Sequence, residues 1–235
     1  MKPYEKPDMS QWPEGDPRRN MTGFDEDFLR KQYNEWMPLE QPPIHDWTPS
    51  KVEQVVCDVI RLHDGECLDV GCGNGRLLVY LKKNNCIDGG MGIDISDAMV
   101  ANAKQSAVNN LVLGLSFMRV AIETFYASHY YDVILATEML EHVYHLRGLL
   151  ERLVEWLDSG GVFVGTVPLE HNCDALVHLH YFSEDSLRDL LSNFFGNVVI
   201  RKIDNTGEGE YRLVFACRKP RKGNDAQDLD ASAGV

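Results

Sequence analysis

Three glycines at alternate positions, Gly71, Gly73 and Gly75, follow the apolar run Cys67-Leu68-Asp69-Val70 and lead directly into a helical pattern. Glycine at such spacing lets the backbone take positive φ and come close to a ligand, while the helix behind it presents unpaired N–H groups and a positive dipole end. The chemistry expected of such a loop is nucleotide-cofactor binding. Its Gly-x-Gly-x-Gly spacing differs from the Gly-x-Gly-x-x-Gly dinucleotide fingerprint. Two carboxylates accompany it. Asp69 stands two residues before the first glycine, and Asp94 ends the run Gly90-Met91-Gly92-Ile93 about twenty residues on, where doubly wound folds place an acid on ribose hydroxyls.

A second group lies in Ala136-Thr137-Glu138-Met139-Leu140-Glu141-His142-Val143. Glu138, Glu141 and His142 are related by i, i+3 and i+4, so a helical turn would bring all three to one face. Two carboxylates and an imidazole repel or compete for protons unless a cation offsets them. Downstream come His171, Cys173, His178 and His180. Glu138, Glu141 and His142 with one of these later histidines form an oxygen and nitrogen set that suits Mg²⁺, Mn²⁺ or Zn²⁺. The same residues also read as a cofactor contact at Glu138, a helix start at Glu141 and hydrogen-bonded loop histidines.

The Leu68-Asp69-Val70-Gly71-Cys72-Gly73-Asn74-Gly75 loop with Asp94 resembles the class I S-adenosylmethionine-dependent methyltransferases. Thr137-Glu138-Met139-Leu140-Glu141-His142-Val143 is similar to the corresponding motif of ubiquinone-biosynthesis-type O-methyltransferases, and Trp36-Met37-Pro38-Leu39-Glu40 with Ile44-His45 and Pro49 resembles their lead-in segment. The resemblance covers residues 36–217. It implies cofactor contacts at Asp69, Gly71, Cys72, Gly73, Gly75, Asp94, Ile95, Ile122, Glu138 and Met139. It implies catalytic roles for His142, His178 and His180, and a metal role for Glu138, Glu141, His142 and His180.

Two departures shape the transfer. The family carries a basic residue after the lead-in histidine, where this chain has Asp46. Its long apolar insertion after strand 5, associated with polyprenyl substrates, is replaced here by 14 residues between Pro168 and Ser183. The expected activity is therefore methyl transfer from S-adenosylmethionine to a hydroxyl of a soluble small molecule. His142, with His178 or His180, would take the proton, alone or through a metal. The E-x-x-E-H group with His180-Tyr181-Phe182 also looks like metal-dependent small-RNA 3′-terminal ribose methyltransferases. A cofactor-binding subunit without turnover is a further alternative.

These residues need a scaffold, and the chain alternates strand and helix patterns. Strands are expected at residues 66–70, up to Asp94, at Ser116 to Ile122, Tyr131 to Ala136 and Val162 to Val167, with final strands at Val198 to Ile203 and Arg212 to Cys217. Between them come helices at Arg76 to Lys83, from the Ser96 cap, along Val143, Leu146, Leu150, Leu153 and Leu157, and at Glu184 to Phe195. This pattern specifies an α/β, Rossmann-like, seven-stranded, mostly parallel sheet with helices on both faces and an N-terminal helical extension. The short Asp204 to Gly209 connection makes the last strand antiparallel. Residues 1–23 read as a flexible leader, 24–64 as a helical lid carrying Tyr33 and Trp36, 65–218 as the cofactor-binding domain and 219–235 as a disordered tail.

Lys plus Arg number 23 against 36 Asp plus Glu, giving a formal charge of −13. That balance argues against a sequence-independent grip on phosphate backbones. The 6 cysteines include no Cys-x-x-Cys pair and read as packed, reduced thiols. With a polar N-terminus and no run of membrane-spanning length, a cytoplasmic protein free of membrane is expected. Oligomeric state is left open.

Overall fold

In the computed structural model, residues 27, 30–31, 47–61, 63–169 and 178–221 are described. The leader, most of the proposed lid including Tyr33 and Trp36, Asp46, His171, Cys173 and the tail lie outside the described residues. Helix α1 (Lys51–Ile60) begins at Ser50, whose side chain accepts from Glu53 N–H while the Glu53 carboxylate accepts from Ser50 N–H. That reciprocal cap fixes where the helix starts. Strand β1 (Glu66–Val70), helix α2 (Arg76–Lys83), strand β2 (Gly89–Asp94) and helix α3 (Asp97–Asn109) follow. Ser96 caps α3, and Met99, Val100, Ala103 and Ala107 form its buried stripe, as their spacing predicts.

The remaining elements are β3 (Leu115–Arg119), β4 (Tyr131–Thr137), α4 (Leu146–Trp156), β5 (Leu157–Pro168), α5 (Glu184–Ser192), β6 (Phe195–Asp204) and β7 (Tyr211–Pro220). β3 is shorter than its apolar pattern predicts, because residues Ala121 to Phe125 close into a turn through amide bonds back to Ala121. Two helix boundaries also move. Val143 precedes α4, while Leu157 and Phe195 open strands, so their apolar side chains serve the core from extended backbone.

The seven strands are ordered β3-β2-β1-β4-β5-β7-β6. All neighbours pair in parallel up to β5, and β7 pairs antiparallel with both β5 and β6. Both faces are covered. Helices α1, α2 and α3 pack on one face with Val133, Leu135 and Val164, whereas α4 and α5 pack on the other with Ile134, Ala136 and Phe163. Alternate residues of β4 thus serve opposite layers, which is why the strand is apolar throughout.

Strand order reverses between β1 and β4, and open α/β sheets bind ligands beyond the carboxyl ends of the strands at such a switch point. Among the described residues no helix is long and apolar enough to cross a membrane. The five described cysteines, Cys57, Cys67, Cys72, Cys86 and Cys217, are buried and free.

Candidate functional site

A crevice of about 560 Å³ opens at the switch point. Its floor is the loop after β1. Gly71, Gly73 and Gly75 have φ of 75°, 54° and 71°, all in the left-handed region that a side chain disfavours. Their surroundings differ. A Cβ on Gly75 would meet Ala103 and Phe117 at 2.8 Å, and Gly75 does not line the crevice, so this glycine serves helix packing. A Cβ on Gly73 would meet nothing within 4 Å, because it would project into the open crevice.

Asp94, at the end of β2, accepts Gly73 N–H on Oδ2 at 2.9 Å and Ser96 N–H on Oδ1 at 2.8 Å. Those two amides hold its carboxylate between the glycine loop and the start of α3. Asp69 is 2% exposed, and its Oδ1 has no hydrogen-bond partner. Burial, with the neighbouring Asp94 charge as the lesser cause, pushes the Asp69 carboxyl up to about 7. Cys72, Ile95, Ile122 and Met139 also line the crevice, so every cofactor residue named from the sequence except Gly75 faces it.

Across the crevice the structure rearranges the second group. The stretch after β4 is not a regular helix: Glu138 takes a φ of 51°, and a single 3₁₀ turn covers Leu140–His142. Glu138 is instead tied to Thr166 and Arg212. Its N–H reaches Thr166 O at 2.9 Å and Oγ1 at 3.1 Å, its Oε1 accepts from Thr166 Oγ1 at 2.8 Å, and its Oε2 accepts from Arg212 Nε at 2.7 Å. A carboxylate so engaged is withdrawn from the metal set predicted for it.

Glu141 is 1% exposed, and neither of its carboxylate oxygens is hydrogen-bonded. Burial, followed by the Glu138 charge, holds its carboxyl well above the usual range. His142 Nε2 lies 3.8 Å from Glu141 Oε1, and the His142 and His178 rings meet edge-on at 4.8 Å. Ligand atoms of Glu141, His142 and His178 all fall within 4.8 Å of one another. The third member is His178 rather than His180. The Nε2–H of His180 donates to Val143 O at 2.7 Å, its ring stacks on Phe182, and it does not line the crevice. Burial lowers the pKa of His180, in keeping with a neutral donor in the loop framework.

A buried carboxylate with free lone pairs beside two imidazoles can move a proton or hold a divalent cation. Among the lining residues that escaped the sequence reading are Thr166, Arg76 and Arg212. Thr166 carried the one available signal, a polar side chain inside the buried run of β5. Arg76 and Arg212 carried none, because surface arginines flanking an element are ordinary.

Similarity to known proteins follows the same residues. The family described as "Methyltransferase domain" matches residues 48–194. The ubiquinone biosynthesis O-methyltransferase of Saccharophagus degradans is 30% identical over 137 residues, covering 56% of each protein. The (S)-tetrahydroprotoberberine N-methyltransferase of Eschscholzia californica is 26% identical over 145 residues, covering 59% of this chain and 41% of that one. The chain thus spans about half the length of these relatives. The N-methyltransferase NodS of Bradyrhizobium japonicum, solved with S-adenosyl-L-homocysteine, shares the fold at a TM-score of 0.65 and 17% identity, covering 82% of this chain and 98% of that one.

The Asp69 carboxyl links stability to pH. Its folded-state pKa lies near 7, against 3.8 ordinarily, so its contribution to stability is full below about pH 4 and is lost as pH rises through 7. Asp69→Asn should therefore stabilise the ligand-free protein relative to wild type at pH 8, by on the order of 2–4 kcal/mol, with the gap shrinking as pH falls from 7 and nearly closed at pH 4. Urea unfolding at both pH values checks this; equal gaps would contradict the assignment.

Proposed function

The chain belongs to the class I S-adenosylmethionine-dependent methyltransferases, and we propose that it methylates a hydroxyl group of a small soluble molecule. The observation that carries the acceptor reading is the Glu141, His142 and His178 cluster on the crevice wall opposite Asp94. A bound S-adenosylmethionine supplies an electrophilic methyl on a sulfonium. Displacement at that carbon needs collinear alignment, which can account for roughly 7–11 kcal/mol of barrier reduction. Asp94 offers its carboxylate to the ribose hydroxyls. The open backbone of Gly73 admits the ligand, and Met99 and Ile122 line the apolar side of the crevice near Asp94.

A hydroxyl acceptor must lose a proton. In this reading His142 Nε2 takes it, and Glu141 Oε1, 3.8 Å away, offsets the charge of the imidazolium that results. An amine acceptor would need less help from a base. The relatives include both O- and N-methyltransferases, so the hydroxyl assignment rests on the cluster rather than on likeness.

The two unpartnered Glu141 oxygens favour a second reading of the same wall. Glu141, His142 and His178 suit Mn²⁺ or Zn²⁺, with Mg²⁺ less at ease among imidazoles. A cation held there would lower the pKa of an acceptor hydroxyl.

Three measurements bear on these readings. Gly73→Val should cut S-adenosylmethionine affinity at least tenfold in calorimetry, because its Cβ and methyls occupy the open space and its φ becomes strained; unchanged affinity would refute the placement. His142→Ala should lower kcat by about 10²–10⁴ while leaving cofactor affinity within about twofold. Turnover of amines but of no hydroxylated compound would overturn the hydroxyl assignment. For the metal, chelation should abolish activity and Mn²⁺ or Zn²⁺ restore it; indifference to both treatments would leave the proton-transfer reading alone.

A further inference from the structure

The methyl donor carries a carboxylate at the end of its methionine tail, and the crevice it must enter is lined by acids: Glu53, Asp69, Asp94, Glu123, Glu138 and Glu141. An anion in such surroundings requires a cation with directed donors. Among the described residues lining the crevice, the permanently cationic side chains are Arg76 and Arg212.

Arg212 is committed elsewhere. Its Nε donates to Glu138 Oε2 at 2.7 Å, its Nη2 to Glu210 Oε1 at 2.8 Å and its Nη1 to Tyr211 O at 3.3 Å. All three nitrogens are engaged, and two carboxylates already balance the charge.

Arg76 is differently held. It is the first residue of α2, directly after the glycine loop, and its side chain is 44% exposed. Nη2 donates to Glu53 Oε1 at 3.0 Å, and the guanidinium lies over the Trp47 ring at 5.3 Å. Glu53 is itself fixed, since its Oε2 accepts Ser50 N–H at 2.8 Å in the cap of α1. Trp47 in turn packs edge-on against Tyr80 at 5.6 Å. One edge and one face of the guanidinium are thus anchored, which spares much of the entropy that a long side chain loses on binding. Gly75, the N-cap of α2, has no side chain to cap the helix, and a long bond from Arg76 N–H to Asn74 Oδ1 at 3.4 Å engages that positive dipole end.

The direction of the tail follows from the two ends already placed. The ribose belongs at Asp94, and the transferable methyl must face the Glu141, His142 and His178 wall. The third substituent of the sulfur then runs over Gly71 and Gly73 toward the starts of α1 and α2. We propose that Arg76, preorganised by Glu53 and Trp47, is the receptor for the methionine carboxylate of the cofactor. The assignment rests on the methyltransferase reading and adds a specificity determinant to it.

Calorimetry with S-adenosylmethionine and decarboxylated S-adenosylmethionine isolates the carboxylate, since the two differ in that group alone. Arg76→Ala should weaken the first about 10- to 100-fold and change the second by less than about twofold. Arg76→Lys, which keeps the charge without the planar fork, should weaken S-adenosylmethionine by a smaller factor and spare its decarboxylated form. Equal losses for both ligands in both variants would make Arg76 a structural clip and overturn the proposal, as would no loss at all. Wild-type protein that binds neither ligand would instead overturn the cofactor reading beneath it.

Discussion

Burying carboxylates at the tips of parallel strands is electrostatically unfavourable, and the organisation of this protein's crevice follows from how that burden is met. Asp69, Asp94, Glu138 and Glu141 converge where the strand order reverses. Each is handled differently. Asp94 is solvated by two backbone amides, Glu138 is neutralised by Arg212 and Thr166, and Asp69 and Glu141 retain oxygens without partners. Asp69 and Glu141, pushed by burial toward their neutral forms, can ionise when a positively charged guest arrives, and a sulfonium is one. After methyl transfer the guest loses that charge, and with it the part of its attraction that depended on those acids.

Much of the framework was legible in the chain itself. Ser96 as a cap, α2 from Arg76 to Lys83, the glycine loop, and Asp94 at a strand end all depend on local chemistry: hydroxyl caps, positive-φ glycines and periodic apolar residues. Antiparallel β7 was readable because six residues cannot carry a parallel crossover. Ends of elements were less accessible. Leu157 and Phe195 look alike as the last apolar residue of a helix or the first of a strand, and only packing against β4 and β7 decides between them.

The second half of the site resisted for another reason. The i, i+3, i+4 relation among Glu138, Glu141 and His142 assumes helical backbone, and Glu138 itself takes the left-handed region, which breaks it. Likewise, His178 and His180 are equivalent in sequence. Which of them faces the crevice is set by the amides of Leu179 and His180, both of which donate to Glu141 O and so fix the rotation of the loop. Arg212 could not be paired with Glu138 from the sequence because 74 positions separate them.

That separation matters during synthesis. β7 slots between β5 and β6, so a chain emerging from the ribosome through residue 204 has the outermost strand of its sheet but nothing for it to pair with. Until the final hairpin arrives, β5 keeps a bare edge and Glu138 lacks its counterion. Pairing of Glu138 with Arg212 is therefore a late event, and the nascent sheet stays unfinished until residues 205–220 have been added.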